Sequence, residues 1–301
     1  MKKKVFEGAA TAIITPFFEN GEIDFEGFGR LIDCQIESGI DAIVAAGTTG
    51  EGSTLTDEEH QAVIKFCVEH TAHRVPVIAG TGSNDTDYAK ELTVAACEMG
   101  ADAVLLVTPY YNKATQAGLI KSFSDIADVS NKPCILYNVP SRTGCNILPK
   151  TVAELAEHPN IVGIKEASGN ISQIAETASL TDDDFSIYSG NDDQIVPVMS
   201  LGGSGVISVL SNLLPKETSR MCKLCLKGDY KTAAKMQLEY LPLISALFSE
   251  VNPIPVKAAV AAMGYGSNTL RLPLTQIESI HKENLFTQMK KYGVKFKEEN
   301  L

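Results

Sequence analysis

Eight short apolar runs recur along the first two thirds of the chain: Gly8–Pro16, Ala42–Gly47, Val75–Thr81, Ala103–Pro109, Cys134–Pro140, Ile161–Ser168, Phe185–Gly190 and Gly205–Ser211. Most are rich in Val and Ile and apolar at successive rather than alternate positions. That is the pattern of parallel strands covered on both faces. The gaps carry the 3.6-residue period of helices. After Asp24, the side chains of Phe25, Phe28, Leu31, Ile32 and Ile36 share one face, and Gly39 stops the helix. Thr56 and Glu59 form a capping box ahead of Ala62, Val63, Phe66 and Cys67. Tyr88, Leu92, Ala95, Ala96 and Met99 line a third helix closed by Gly100; Leu119, Ile120, Phe123, Ile126 and Ala127 line a fourth.

A strand–helix unit repeated eight times predicts an α/β chain with a parallel sheet. Eight units favour closure into a (β/α)8 TIM barrel, which typically takes ~250 residues. An open doubly wound sheet is the competing arrangement. Against it, TAIITPF stands where a dinucleotide-binding sheet would carry its glycine fingerprint. From about Leu213 the strand pattern stops, and helical periodicity continues to Tyr292, punctuated by Pro215, Pro242, Pro253 and Pro273. The expected division is a catalytic barrel over residues 1–230 and a helical C-terminal domain over 231–301. No low-complexity linker separates them, so the second should pack on the first.

Composition removes several function classes. The 37 acidic residues outnumber the 26 basic ones, and the only basic block is Lys2-Lys3-Lys4, so nucleic acid is not an expected partner. No stretch approaches the ~18 uninterrupted apolar residues of a membrane span. Lys2–Lys4 and the apolar run after them resemble the front of a secretory leader. Glu7 interrupts the junction, however, and Pro16 and Glu19 end the run, which reads better as a first strand. The 7 cysteines (Cys34, Cys67, Cys97, Cys134, Cys145, Cys222, Cys225) are odd in number and scattered through apolar elements. Free thiols in a reducing cytoplasm account for them most simply. Cys222 and Cys225 form a C-x-x-C that suits either a metal or redox pair or two helical cysteines one turn apart; with no second pair nearby, the helical reading is favoured. The five histidines avoid strand ends and lack ligand spacing, so no metal is expected. His60, His70 and His73, on or near the second helix, are expected at the surface.

In barrels of this kind, reactive groups sit at the C-terminal ends of strands and in the loops that follow. The second strand ends in Gly47-Thr48-Thr49-Gly50-Glu51, where a tight turn and two hydroxyls suit a carboxylate or a phosphate, or simply start a helix. The fourth leads into Tyr110-Tyr111-Asn112-Lys113 and the fifth into Tyr137-Asn138-Val139-Pro140-Ser141-Arg142. Tyr137 can relay protons and Arg142 can grip a carboxylate; the plainer alternatives are edge tyrosines and a solvated loop charge. The seventh ends in Tyr188-Ser189-Gly190-Asn191-Asp192, and Gly202-Gly203-Ser204-Gly205 opens the eighth, either to bind phosphate or to let the backbone approach a small substrate. The sharpest feature is Lys165, set in the apolar strand Ile161-Val162-Gly163-Ile164-Lys165-Glu166. It either snorkels or pairs with an acid such as Glu166, or it stands desolvated inside the barrel. In the second case its pKa falls, and the neutral amine is a nucleophile for carbonyl carbon.

Thr48, Thr49, Tyr111, Tyr137, Arg142 and Lys165 all fall at or just past strand ends that a barrel would bring together. With the stretches GTTGE (47–51), YYNKATQAG (110–118), LYNVPSRTG (136–144), GIKEASGN (163–170), SGND (189–192), GGSGVISV (202–209) and NPIPVKAA (252–259), this set resembles the pyruvate-dependent class I aldolase superfamily. Within it, the resemblance is closest to the dihydrodipicolinate synthase family and extends over most of the chain. It implies a cytoplasmic lyase assembled as a homotetramer, a dimer of dimers, with no metal or organic cofactor. It further implies condensation of pyruvate with L-aspartate-4-semialdehyde to 4-hydroxy-tetrahydrodipicolinate, the first committed step of diaminopimelate and lysine biosynthesis.

By the same resemblance, Lys165 forms the imine and Tyr137 is its acid and base. Thr49 links Tyr137 to Tyr111 of the neighbouring subunit in a proton relay. Thr48 and Thr49 hold the pyruvate carboxylate, Arg142 binds the carboxylate of the aldehyde, and Gly190 and Ile207 supply backbone contacts near the imine. Sialic acid lyases share the lysine and the tyrosine but generally lack the arginine and tend to carry Ser-Thr in place of Thr48-Thr49. An aldolase or lyase for a 2-keto-3-deoxy sugar acid or N-acetylneuraminate is therefore the nearest alternative. A barrel holding pyridoxal phosphate on Lys165 and a keto-acid-binding protein are more distant ones. His60, Asn84 and Tyr110 match parts of the lysine-inhibition site of regulated members, whereas Asp57 and Tyr88 depart from it. Weak or absent inhibition by lysine is expected.

Overall fold

The structure, a computed structural model, describes Lys2 and residues 4–297. All eight apolar runs contain a strand: β1 (Gly8–Ala12), β2 (Ala42–Ala45), β3 (Val77–Gly80), β4 (Ala103–Val107), β5 (Cys134–Asn138), β6 (Ile161–Glu166), β7 (Ser186–Ser189) and β8 (Gly205–Ser208). Each lies parallel to the next, and β8 pairs back onto β1 from Gly8 opposite Gly205 to Thr11 opposite Ser208, which closes the barrel. The strands stop short of the runs where prolines follow, as at Pro109 and Pro140, because proline has no N–H for the ladder.

Two apolar cores explain why the strands lack polar alternation. Ala10, Val44, Ile78, Leu105, Ile135, Tyr188 and Ile207 fill the barrel interior. Ile43, Val104, Leu106, Leu136, Ile164 and Val206 face outward into the layer shared with the helices. The barrel helices are α1 (Phe25–Glu37), α2 (Asp57–Thr71), α3 (Thr86–Glu98), α4 (Gln116–Val129), α5 (a single turn, Pro140–Thr143), α6 (Pro149–Ala156), α7 (Ile171–Leu180), α8 (Ile195–Ser200) and α9 (Pro215–Leu226). Asp24 caps α1, and the Thr56–Glu59 box closes on α2 as the sequence predicts. The expected face of α3 is rotated: Ala89, Leu92, Thr93, Ala96 and Cys97 are buried, while Tyr88 turns outward to bond Asp57 on α2. Cys222 and Cys225 are buried on α9, in agreement with the helical reading.

Three more helices, α10 (Tyr230–Leu247), α11 (Ile254–Ala262) and α12 (Ser279–Lys291), pack on one another and against the barrel. No helix among the described residues is long and apolar enough to cross a membrane. A buried ion pair anchors this C-terminal segment to the loop after β2. Lys257, fully buried on α11, donates to Glu51, whose other carboxylate oxygen accepts the Arg271 backbone N–H at 3.0 Å. Phe17 presents its ring to the Lys257 ammonium, with Nζ 3.6 Å from the centroid, and the Arg271 guanidinium pairs with Glu59 on α2. Breaking such a pair strands a buried charge, so the loop bearing Thr48 and Thr49 is firmly held from the C-terminal side.

Candidate active site

Lys165 points into the barrel, and a register shift puts it there. Cys134 on β5 faces Ile161 on β6, but Ile135 faces Gly163, so Val162 is passed over. The bulge resets the alternation. Val162 and Ala167 contribute to the inner core, Ile161 and Ile164 to the outer one. Lys165 then lies in register between Tyr137 on β5 and Tyr188 on β7. Its Nζ is 4.3 Å from the centre of the Tyr137 ring. Below it, Tyr188 stacks on Phe6 at 4.3 Å and bonds the Phe6 carbonyl, plugging the barrel interior.

Glu166 is not the partner of Lys165. It turns to the other side of the sheet, where its carboxylate accepts from the Asn138 amide at 3.0 and 3.1 Å and from the Ser168 N–H at 2.7 Å. Burial pulls the Lys165 pKa down to about 8, against the pull of the Asp192 carboxylate and with the help of the Arg142 charge. Asp192 is itself buried, accepting from the Ser208 hydroxyl at 2.5 Å and from the Val209 and Leu210 N–H groups at 3.0 and 2.9 Å. The amine is protonated, and inert as a nucleophile, below its pKa. The initial rate of imine formation with a keto acid is therefore expected to rise about tenfold per pH unit below pH 8 and to level off above it. Stopped-flow trapping across that range checks this; a rate flat from pH 6 to 8 would contradict it.

Tyr137 is buried, and burial pushes its phenol pKa up, while Arg142 and the Thr48 hydroxyl pull it back. This corrects the expected relay. Thr48, not Thr49, is the threonine beside the Tyr137 phenol, and Thr48 lines the cavity that Tyr137 and Arg142 also line. Thr49 is buried, with its hydroxyl accepting from Asn252 Nδ2 at 3.0 Å. Consecutive residues in a turn face different ways, so the Thr49 hydroxyl meets Asn252 while Thr48 lines the cavity. Arg142, on α5, donates to the Asn252 carbonyl at 3.1 Å. Tyr111 is 92% exposed and held at φ 71°, outside the site formed by this chain.

Gly190 lies against Lys165, and neither it nor Ile207 lines the cavity beside Tyr137. Ile207 is buried in the inner core. A Cβ at Gly190 would stand 2.6 Å from that of Ala167 and 3.2 Å from Lys165 Cε, so a side chain there would have to displace Ala167 and crowd the lysine. The cavity beside Tyr137 holds about 420 Å³ and extends from Thr48 and Arg142 to His60, Tyr88 and Tyr110. His60 is thus not on the surface: it is buried, its ring nitrogen 2.9 Å from the Gly80 carbonyl. Sequence reasoning gave no role to Asp192 or Asn252. Asp192 had a signal, its place just past β7; Asn252 had only its position in the matched stretch NPIPVKAA. Among the described residues, no three His, Cys, Asp or Glu side chains converge in a way that could hold a metal ion.

Comparisons with known proteins agree on one family. The model of the Dihydrodipicolinate synthetase family matches residues 5–292. The 4-hydroxy-tetrahydrodipicolinate synthase of Lachnoclostridium phytofermentans is 58% identical over 291 residues, 96% of this chain and 99% of the relative. The crystal structure of the dihydrodipicolinate synthase of Aquifex aeolicus is 44% identical with a TM-score of 0.95, covering 97% of this chain and 100% of its own. The chloride-inhibited dihydrodipicolinate synthase of Acinetobacter baumannii, solved in complex with pyruvate, is 43% identical with a TM-score of 0.95 over 97% of this chain and 100% of its own.

Proposed function

The chain belongs to the dihydrodipicolinate synthetase family, and on that premise we propose that it condenses pyruvate with L-aspartate-4-semialdehyde through an imine on Lys165. The observation that carries the reading is the Lys165 amine, desolvated inside the barrel and 4.3 Å from the centre of the Tyr137 ring.

The neutral amine adds to C2 of pyruvate, and loss of one water from the carbinolamine leaves an iminium. Its nitrogen takes up the electron pair released when the methyl group gives up a proton, which water alone accomplishes poorly. The resulting enamine carbon bonds to the aldehyde carbon, and the new alkoxide takes a proton. The amino group of the second substrate then attacks the iminium carbon and expels Lys165 as the free amine, closing the ring of 4-hydroxy-tetrahydrodipicolinate. Tyr137 is the acid and base for these transfers, with Thr48 beside its phenol. Thr49 and the turn around it hold the pyruvate carboxylate. Arg142 receives the carboxylate of the aldehyde, since its planar fork matches that group. Gly190 gives the imine room and Ile207 contributes backbone beside it.

Tyr111 enters from a second copy of the chain. A non-glycine residue at positive φ costs about 1–2 kcal/mol, and this one presents a nearly bare aromatic ring. Both features suit a side chain whose partner lies in another subunit, as a dimer of dimers in the cytoplasm would supply. Supplying pyruvate with the semialdehyde, or a 2-keto-3-deoxy sugar acid or N-acetylneuraminate without pyruvate, tests the substrate. Turnover is expected with the first pair alone; cleavage of a sugar acid at a comparable rate would contradict the proposal.

Lysine is expected to inhibit weakly or not at all. Tyr88 replaces the glutamate that the resemblance leads one to expect for the lysine amino group, and its phenol is bonded to Asp57. Rates measured at sub-millimolar lysine check this; strong inhibition there would refute it.

A further inference from the structure

Asn252 lies between α10 and α11, remote in sequence from every strand, yet it touches both Thr49 and Arg142. Its amide Nδ2 donates to the Thr49 hydroxyl at 3.0 Å, and its backbone carbonyl accepts from Arg142 Nη2 at 3.1 Å. Thr49 belongs to the loop after β2 and Arg142 to the turn after β5, so one residue of the helical extension joins two separate rims of the barrel. Its own position is fixed nearby by the Lys257–Glu51 pair and by the Arg271 N–H on Glu51.

We propose that Asn252 is a positioning residue for both carboxylate-binding groups, through which the C-terminal segment sets the affinity of the site for its two substrates. This rests on the reading that Thr49 faces the pyruvate carboxylate and Arg142 that of the aldehyde. A hydroxyl has one proton and two lone pairs. With an amide N–H on one lone pair, the Thr49 proton is left for an anion, and the bond it receives polarises it toward donation. Arg142 uses one of its five N–H groups on the Asn252 carbonyl, which restrains the fork while leaving the other donors for a substrate carboxylate. The amide keeps this orientation although its Oδ1 is buried without a hydrogen-bond partner among the described residues. What distinguishes position 252 is therefore a donor aimed at Thr49, and an acceptor there would reverse the bond and claim the Thr49 proton.

Asn252→Ala and Asn252→Asp in the full chain test this through KM for pyruvate, KM for L-aspartate-4-semialdehyde, kcat and borohydride trapping of Lys165. Asn252→Ala is expected to raise both KM values by about fivefold, and Asn252→Asp by about thirtyfold or more, with kcat changed by less than about threefold. Trapping at saturating pyruvate should persist in both. Unchanged KM values in folded variants, or an aspartate variant no worse than the alanine one, would overturn the proposal. Should Asn252→Asp not fold, Asn252→Ser replaces it: KM values raised with kcat retained support the proposal, and wild-type values overturn it. Failure of the wild-type protein to trap pyruvate at all would instead sink the imine reading on which the proposal rests.

Discussion

Lys165→Ala is expected to lower kcat for the condensation by about 10³-fold or more, equivalent to about 4 kcal/mol of barrier. Among the residues placed at the site, Lys165 alone carries an amine, and burial lowers its pKa to about 8, which raises the share of the reactive neutral form. No other lysine lies on β6 or on the strands beside it, β5 and β7. Lys165→Arg separates charge from nucleophilicity. A guanidinium stays protonated at any accessible pH, so this variant keeps the cation beside Tyr137 and should be as inactive as alanine. Steady-state rates of both variants, with far-UV circular dichroism to establish folding, check the expectation. Substantial turnover by either would remove the imine from the mechanism.

Arg142→Ala carries the second largest effect. Losing a charge-assisted, bidentate grip on a carboxylate should lower kcat/KM for L-aspartate-4-semialdehyde by about 10²–10³-fold, chiefly through KM. Imine formation with pyruvate alone should survive. The loss should also move the pH profile. The Arg142 charge helps hold the Lys165 pKa down, so its removal raises that pKa and shifts the rising limb toward alkaline pH. An aldolase for sugar acids would predict little change in kcat/KM for its substrate, while the shift of the pH profile follows from the Arg142 charge under either reading. Kinetics with each substrate varied separately, from pH 6 to 9, distinguish these outcomes.

Much of this was legible in the sequence because the barrel is built from patterns of short range. Each strand announces itself by an uninterrupted apolar run, and a lysine in such a run stands out because both faces of the strand are covered. The choice of face was not legible. Alternation counted inward from Ile161 fails at Val162, where the register with β5 shifts, and a bulge leaves no mark on composition. The same limit applied to Thr48 and Thr49. Both were flagged, but which hydroxyl meets Tyr137 depends on the dihedral angles of a turn that includes Glu51 in the left-handed region. His60 sits on a helix with mixed burial, and its helical period alone did not reveal the Gly80 carbonyl waiting beneath it. Asn252 was least accessible, separated from Thr49 by 203 positions and from Arg142 by 110. Contacts of that span follow from the docking of the C-terminal helices, which no local pattern records.

The most direct measurement is borohydride reduction of the protein in the presence of pyruvate, followed by peptide mass mapping. Lys257 serves as an internal control: burial also draws its pKa down to about 8, but its ammonium is paired with Glu51 and closed off by Phe17. The account predicts one reduced pyruvate adduct, on the peptide containing Lys165 and absent from Lys165→Ala. An adduct on Lys257 or another lysine, or no adduct on a protein that still turns over both substrates, would contradict it.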